Sequence, residues 1–286
     1  MFKPLTDPSV LTSVLGSHKV RADKSLGQNF LICEEVIQSV LIALEGGPKK
    51  ITELGPGVGT LTQGLIMSGY HVRGIEKDDD FIHIIPTVLP KNLVQNLELI
   101  HGDLKEIEWS WPSSASSAGE ASTRQYWSLV GNIPYNLSGL IIRHLTKMQS
   151  APSRAIFLMQ KEVVDRLVTE ENNMSLLGLS LGLWGSAQLL LRVPPSCFIP
   201  APSVQSSLVL LTPNPDRLPE EKREEIIAKA KPFFQAKRKQ IGTTLKRAYQ
   251  KTEQEIAAIG DHIHALPTTR PENLTIEQWV LLAGVV

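Results

Sequence analysis

Cysteine is scarce in this chain of 286 residues, which contains only Cys33 and Cys197. Two thiols provide neither a cysteine-based metal cluster nor the disulfide framework of a small secreted domain. We therefore expect a reducing compartment and no structural metal. The N-terminal sequence MFKPLTDPSV also lacks a basic stretch followed by an apolar run. This absence predicts no signal peptide, and a cytoplasmic location is the default expectation.

Net charge is absent as well, because 29 basic residues balance 29 acidic ones. The whole chain therefore offers no electrostatic argument for a nucleic-acid partner. The local charge is strongly positive over residues 229–251, which contain eight Lys or Arg and no Asp or Glu. A run of one sign favours contact with phosphate groups, and we predict that Lys237, Arg238 and Lys239 make such contacts. A solvated helix face is the alternative.

Charged residues are also missing from residues 172–191. This stretch contains Asn172, Asn173, Gln188 and three glycines, which a membrane span would disfavour. We expect a core helix followed by a strand here, and no contact with a membrane.

Short apolar runs alternate with helical patterns from about residue 50 onward. Five such runs end in a polar residue or lead directly into a glycine, and most are followed by a helical pattern: KKITEL, HVRGIE, LELIHGD, WSLVGN and RAIFLMQ. This alternation predicts an α/β fold with a parallel sheet. Two later runs, AQLLLRV and VQSSLVLL, flank the link PPSCFIPAPS, which is too short for a crossover helix. They predict an antiparallel pair at one edge of the sheet.

The composition also indicates a division into domains. After Thr212 the sequence becomes helical and charged, so we expect a large domain over residues 1–212 and a small helical domain over residues 213–286. Residues 1–23 are an N-terminal extension. A stretch rich in serine and alanine within residues 110–126 is predicted to be a mobile surface insertion.

The strongest local motif runs from Glu53 to Gly59, at the end of the first predicted strand of this sheet. Gly55 and Gly57 allow a sharp turn and leave room for a ligand. A dinucleotide fingerprint needs a further glycine where Thr62 stands, so a nicotinamide dehydrogenase is not supported. An acid at Glu53 would repel a pyrophosphate. The motif therefore favours a cofactor without phosphates, although a plain turn between strand and helix is the alternative.

Two further acids follow the next two predicted strands. Glu76 ends one, where a carboxylate can accept ribose hydroxyls, and Asp103 ends the other, where a carboxylate can accept an adenine amine. Each acid alone is typical of a solvated strand end. Since ligands of open α/β sheets bind beyond the carboxyl ends of the strands, the three features together predict a nucleoside site.

The sequence Asn132-Ile133-Pro134-Tyr135 follows the fourth strand, and it resembles the tetrad of the ribosomal RNA adenine dimethylases. Further blocks resemble that family: Lys24 to Leu31, Gln160 to Val163, Val193 to Pro195 and Pro200 to Pro202. The resemblance implies a Rossmann-like methyltransferase sheet and S-adenosylmethionine as cofactor. It implies a cofactor site formed by Asn29, Leu31, Gly55, Gly57, Glu76, Asp103 and Asn132, and a catalytic site formed by Asn132, Pro134, Tyr135 and Phe198.

The tetrad suits attack on a methyl group by the exocyclic amine of a nucleobase, whose lone pair is delocalised into the ring. Two acceptors, the Asn132 amide oxygen and a backbone carbonyl aimed by Pro134, would favour a pyramidal nitrogen with a localised lone pair. Catalysis is then mostly the alignment of nitrogen, methyl group and sulfur. Tyr135 would stack on one face of the base, and the resemblance places Phe198 on the other.

The substrate implied by the resemblance is a pair of adjacent adenosines in a hairpin loop near the 3′ end of small-subunit rRNA. Each would receive two methyl groups within an immature particle, and Lys237, Arg238 and Lys239 would contact the RNA. We expect a monomer. Two alternatives stay open: a large-subunit methyltransferase of the macrolide-resistance type, and a non-catalytic ribosome-assembly factor. Four positions depart from the family pattern: Cys33, Ser203, Gln205 and Lys237.

Overall fold

The computed structural model describes residues 3–22, 27–111, 127–168, 173–236 and 238–286. Most of the predicted insertion at residues 110–126, the motif residues 24–26 and Lys237 lie outside these ranges. In chain order the strands are β1 (Phe30–Leu31), β2 (Lys50–Leu54), β3 (His71–Glu76), β4 (Leu97–His101), β5 (Trp127–Asn132), β6 (Ala155–Gln160), β7 (Gly185–Val193), β8 (Phe198–Ile199) and β9 (Ser206–Pro213).

Helices separate most of these strands and form the C-terminal part of the chain. They are α1 (Pro8–Ser17), α2 (Glu34–Leu44), α3 (Thr60–Met67), α4 (Asp79–Ile84), α5 (Ser138–Lys147), α6 (Lys161–Leu167), α7 (Leu176–Trp184), α8 (Glu220–Gln235), α9 (Ile241–Ala248), α10 (Glu253–His262) and α11 (Ile276–Val285). In the described residues, no helix is both long and apolar enough to cross a membrane.

Within the described ranges, seven strands form a mixed sheet in the order β4-β3-β2-β5-β6-β9-β7. Strands β4, β3, β2, β5 and β6 are parallel to one another, and β9 lies antiparallel to β6. The predicted α/β fold is confirmed, with the five expected parallel strands and the two later strands at one edge. The chain order reverses at β2, so the carboxyl ends of β2 and β5 border a crevice where ligands of such sheets bind.

The chain folds into two compact units. The first unit comprises residues 1–138, 150–164 and 188–213, and its core packs side chains of α2 and α3 against the sheet. Leu5 and Leu11 of the N-terminal extension are buried in the same unit, beside Phe81 of α4. The extension therefore adds a packed helix, α1, which the sequence pattern did not predict.

The second unit comprises residues 139–149, 165–187 and 214–286. It therefore includes segments that precede residue 213, because Leu179 and Leu183 of α7 are buried in one cluster with Ile226 of α8 and Trp279 of α11. Residues 172–191 were expected to form a core helix and a strand, and α7 and β7 confirm this over the described residues. The division of the chain at residues 212 and 213 stays a prediction.

Candidate active site

The turn after β2 is built by glycines with left-handed backbone conformations. Gly55 and Gly57 have φ values of 65° and 57°, a region that side chains with a Cβ rarely adopt. The turn leads into α3, whose first residue follows Gly59. It leaves the backbone N–H of Gly57 pointing to the end of β3, where it donates to Glu76 Oε2 at 2.8 Å.

Within the described part of the chain, Glu76 is held by backbone amides. Besides Gly57, the N–H groups of Lys77 and Asp78 donate to Oε1 at 2.8 and 2.9 Å. Burial raises the pKa of Glu76 above its ordinary value, and these three hydrogen bonds offset part of that rise. The carboxylate is thereby fixed at the carboxyl end of β3, and Oε2 keeps an acceptor site for a ligand hydroxyl.

Glu53 lies beside Glu76 in the same cavity and was not among the predicted site residues. Its side chain is 1% exposed, and Oε2 accepts a hydrogen bond from the Thr62 hydroxyl at 2.7 Å. Burial raises the pKa of Glu53 to about 8, the Thr62 hydrogen bond lowers it, and the charge of Glu76 raises it further. Glu53, the last acid within β2, is therefore held largely protonated near neutral pH.

Asp103 is paired with a lysine that the sequence reasoning did not single out. Its Oδ2 accepts from Lys77 Nζ at 2.9 Å, and its Oδ1 accepts from the N–H of Lys105 at 3.0 Å. The Lys105 backbone hydrogen bond, followed by the Lys77 hydrogen bond, lowers the pKa of Asp103. Asp103 is thus an ionised acceptor at the end of β4, next to an exposed cation.

Asn132 at the end of β5 has its amide oriented by the N-terminal motif. Its Nδ2 donates to the backbone carbonyl of Asn29 at 2.9 Å. Within the described residues its amide oxygen accepts no hydrogen bond, and the residue is only partly buried in the cavity wall. An amide oxygen fixed in this way can accept a hydrogen bond from an amine that enters the cavity.

Tyr135 is anchored through its hydroxyl, which forms a hydrogen bond with the hydroxyl of buried Ser206 on β9 at 2.7 Å. Burial raises the pKa of Tyr135, so the phenol stays neutral. Pro134 precedes it and lies close to Gly27, where an added Cβ would sit 3.7 Å from the proline Cβ. The N-terminal motif and the tetrad therefore meet in the first unit.

One cavity of the first unit brings most of the predicted site together. The predicted residues that line it are Asn29, Leu31, Gly55, Gly57, Glu76, Asp103, Asn132, Pro134 and Tyr135. Phe198 is not among the lining residues. It is 3% exposed, and it packs in the core where β8 pairs antiparallel with β1, opposite Leu31. Its role in stacking on a base stays a prediction.

The cavity wall also contains residues that the sequence reasoning missed, including Gln28, Lys77, Asp78, Phe81 and Leu104. Gln28 Nε2 donates to Asp78 Oδ2 at 2.9 Å, which ties the N-terminal motif to the segment after β3. Leu104 directly follows Asp103 and was available from the Gly-Asp-Leu sequence as an apolar side chain next to an acid. Besides the protonated Glu53, three acids and one lysine line the cavity, an excess of negative charge that suits a cationic ligand.

The predicted basic contacts lie in the second unit. Arg238 and Lys239 are exposed and line an open groove between the end of α8 and α9, together with Arg247. None of these three side chains forms an ion pair within the described residues. Other lysines of the run are paired: Lys229 with Glu225, Lys246 with Glu253, and Lys251 with Glu255. Only part of the run is thus free to meet phosphate.

The fold and site define a Rossmann-like methyltransferase. The sheet is mostly parallel, acids lie at successive strand ends, and the glycine turn lacks the pattern that binds a pyrophosphate. The model of the ribosomal RNA adenine dimethylase family matches residues 19–285. The chain therefore belongs to the ribosomal RNA adenine dimethylase family, and it is an adenine dimethyltransferase of ribosomal RNA. Methyltransferases of this kind use S-adenosylmethionine.

Several curated relatives carry the description ribosomal RNA small subunit methyltransferase A. The protein of Lactobacillus acidophilus is 31% identical, over 98% of this chain and 96% of its own length. That of Synechococcus elongatus is 32% identical, over 91% and 93% respectively.

Two solved structures share the fold. A dimethyladenosine transferase from Plasmodium falciparum has a TM-score of 0.70 at 20% identity, over 88% of this chain and 95% of that one. The 23S rRNA methyltransferase ErmE has a TM-score of 0.69 at 20% identity, over 90% and 99%.

Proposed function

We propose that this enzyme dimethylates the N6 amines of two adjacent adenosines in a hairpin loop near the 3′ end of small-subunit rRNA. The observation that carries the proposal is the amide of Asn132, whose nitrogen is engaged by Asn29 while its oxygen is left to an incoming donor. The curated relatives named for the small subunit support this substrate over a large-subunit one.

In this proposal the cofactor lies along the carboxyl ends of β2, β3 and β4. Glu76 would accept a ribose hydroxyl, and Asp103 would accept the adenine amine. Asn29, Leu31, Gly55 and Gly57 would form the walls. S-adenosylmethionine supplies an activated methyl group on a sulfonium, and the acidic lining of the cavity suits that positive charge.

Asn132 and Tyr135 would act on the target base. The Asn132 oxygen and a backbone carbonyl aimed by Pro134 would accept the two N–H bonds of the amine, which localises the nitrogen lone pair toward the methyl group. Tyr135, held by Ser206, would stack on the base, which must first leave its own stack in the RNA. No strong base is needed, because the methylated amine is acidic and loses its proton to water.

The RNA would also contact the second unit through Lys237, Arg238 and Lys239. The substrate form we favour is an immature small ribosomal particle, since a hairpin loop exposed in such a particle costs little to unstack. We propose that the enzyme acts as a monomer in the cytoplasm, a reducing compartment that suits its two free thiols.

The test is mass mapping of modified adenosines in rRNA from cells with and without the enzyme. We expect two adjacent dimethyladenosines near the 3′ end of small-subunit rRNA to disappear in its absence, and to return on incubation of those particles with the enzyme and S-adenosylmethionine. Loss of a large-subunit modification instead would assign the enzyme to the macrolide-resistance type. Unchanged modification in both rRNAs would contradict the proposal.

A further inference from the structure

A second cationic cavity lies in the second unit, apart in sequence from the basic groove at Arg238 and Lys239. We name it the α5–α8 cavity after the helices at its two sides; α6 and α7 complete it. Its volume is about 630 Å³, and all of its lining residues belong to the second unit. Neither the tetrad nor the cofactor residues line it.

The charges of the α5–α8 cavity are unequal. Five cationic side chains line it against two carboxylates, those of Glu220 and Glu224. Glu224 is already paired with Lys147 of α5. Arg223 is buried, and it donates to the backbone carbonyls of Leu218, at 2.9 Å, and Thr146. These two cations therefore serve the packing of α8 against α5.

The remaining cations have no such partner. Arg143 of α5, Arg166 of α6 and Lys231 of α8 are exposed, and within the described residues their side chains form neither an ion pair nor a hydrogen bond. Lysines elsewhere on α8 have a carboxylate partner, since Lys222 and Lys229 share Glu225. Three cations without a carboxylate partner among the described residues, one from each of three helices, thus give this cavity a local excess of positive charge in a chain of zero net charge.

The remainder of the lining indicates the kind of anion. Leu176, Leu177 and Ile227 are partly buried and give the cavity an apolar wall, while the hydroxyls of Thr146 and Ser180 bond to each other at 3.2 Å. A cavity of this size with separated cations and an apolar wall fits a chain of phosphates joined by sugars better than a single small anion. Positive charge of this kind is the electrostatic footprint of nucleic-acid binding.

We propose that the α5–α8 cavity binds the phosphodiester backbone of the rRNA substrate through Arg143, Arg166 and Lys231. The inference rests on the proposed function, because it takes RNA as the substrate. It adds a contact surface formed by the segments that directly follow the tetrad and β6 in the chain. Contacts to phosphate would position the RNA without reading its sequence.

The test compares a triple variant, R143Q/R166Q/K231Q, with a matched control, K3Q/K91Q/R270Q, which removes three exposed cations from outside the cavity. Binding isotherms with an rRNA fragment are measured at several salt concentrations. For the triple variant we expect about tenfold weaker binding or more and a log–log salt slope smaller by about 2–3, near one per lost phosphate contact. The control should keep the wild-type slope. Each single variant should reduce the slope by about one.

Cofactor affinity, measured by calorimetry, should be unchanged in both triple variants and shows that they are folded. The inference is overturned if the triple variant binds RNA as the wild type does at every salt concentration, or if the control loses as much affinity. Unchanged RNA binding overturns it even where the cavity binds an acidic protein partner instead. Wild-type enzyme that methylates no rRNA adenine would contradict the proposed function, whatever the slope. The two failures are therefore distinguishable.

Discussion

Glu76 has its carboxylate fixed by three backbone N–H groups, which makes it a preorganised acceptor. We predict that Glu76→Ala weakens S-adenosylmethionine binding by roughly 2–4 kcal/mol, the range for losing charge-assisted hydrogen bonds. Calorimetry measures the effect. Glu98→Ala, which removes an exposed acid of the neighbouring strand, is the matched control and should bind normally. A folded Glu76→Ala enzyme with wild-type affinity would remove Glu76 from the cofactor site.

Asn132 is expected to act on the target amine mainly in the transition state. Asn132→Ala should therefore lose turnover far more than cofactor affinity, because only an interaction that strengthens in the transition state accelerates the chemical step. Single-turnover methylation of rRNA and calorimetry with the cofactor separate the two effects. Turnover within about threefold of wild type would contradict the mechanism, since alignment of the amine should contribute several kcal/mol.

Glu53 links stability to pH, because its pKa of about 8 in the folded chain exceeds that of an unfolded glutamate. Between about pH 4 and 8 the folded state keeps a proton that the unfolded state has released. The free energy of unfolding should therefore fall as pH rises through this window, by up to about 5 kcal/mol for this group, and level off above it. Urea denaturation at several pH values should show a flatter profile for Glu53→Gln. Parallel profiles for the two proteins would refute this linkage.

Helix α2 begins at a residue that leaves its first turn without a side-chain cap. Cys33 is the N-cap, its backbone is extended, and its side chain accepts no hydrogen bond from the helix. We predict that Cys33→Asp raises the free energy of unfolding by about 1 kcal/mol, because an aspartate accepts an N–H of the first turn. Chemical denaturation measures it, with Cys33→Ala as control; equal stability of the two variants would argue against a capping role.

The elements of the parallel sheet were predictable because strands covered on both faces read as apolar runs. Gly55, Glu76, Asp103 and Asn132 were predictable as a group for a related reason: the carboxyl ends of parallel strands meet at one edge. The pair β1–β8 was not predictable, since two residues in each strand carry no periodicity. It ties the N-terminal motif to a buried Phe198.

Contacts between distant residues were also beyond the sequence. The hydrogen bond from Asn132 to the carbonyl of Asn29 spans 103 positions, and the pair of Lys77 with Asp103 spans 26. Neither follows from spacing, yet the first orients the amide of Asn132 and the second places a cation beside Asp103. The inclusion of α7 in the second unit is similar, because an apolar helix does not show from its sequence which core it joins.

At the scale of the whole molecule, a formal charge of zero conceals an uneven distribution of charge. Acids line the candidate active site in the first unit, while unneutralised cations line two surfaces of the second unit. A cationic cofactor and a polyanionic RNA need opposite fields, and separate surfaces supply both in one chain. Charge at the two cationic surfaces should therefore change RNA binding without changing cofactor binding.

The basic segment formed by Lys237, Arg238 and Lys239 tests this separation. Arg238 and Lys239 line the basic groove with Arg247, and neither has a carboxylate partner within the described residues. If the three residues contact phosphate, K237Q/R238Q/K239Q weakens binding at every rRNA sequence tested, and the log–log salt slope falls by up to about 3. Cofactor affinity should stay unchanged, since the proposed cofactor residues all belong to the first unit. A solvated helix face predicts the wild-type slope instead. Equal slopes of log affinity against log salt concentration for the wild type, this variant and K3Q/K91Q/R270Q would therefore show that the segment does not contact phosphate.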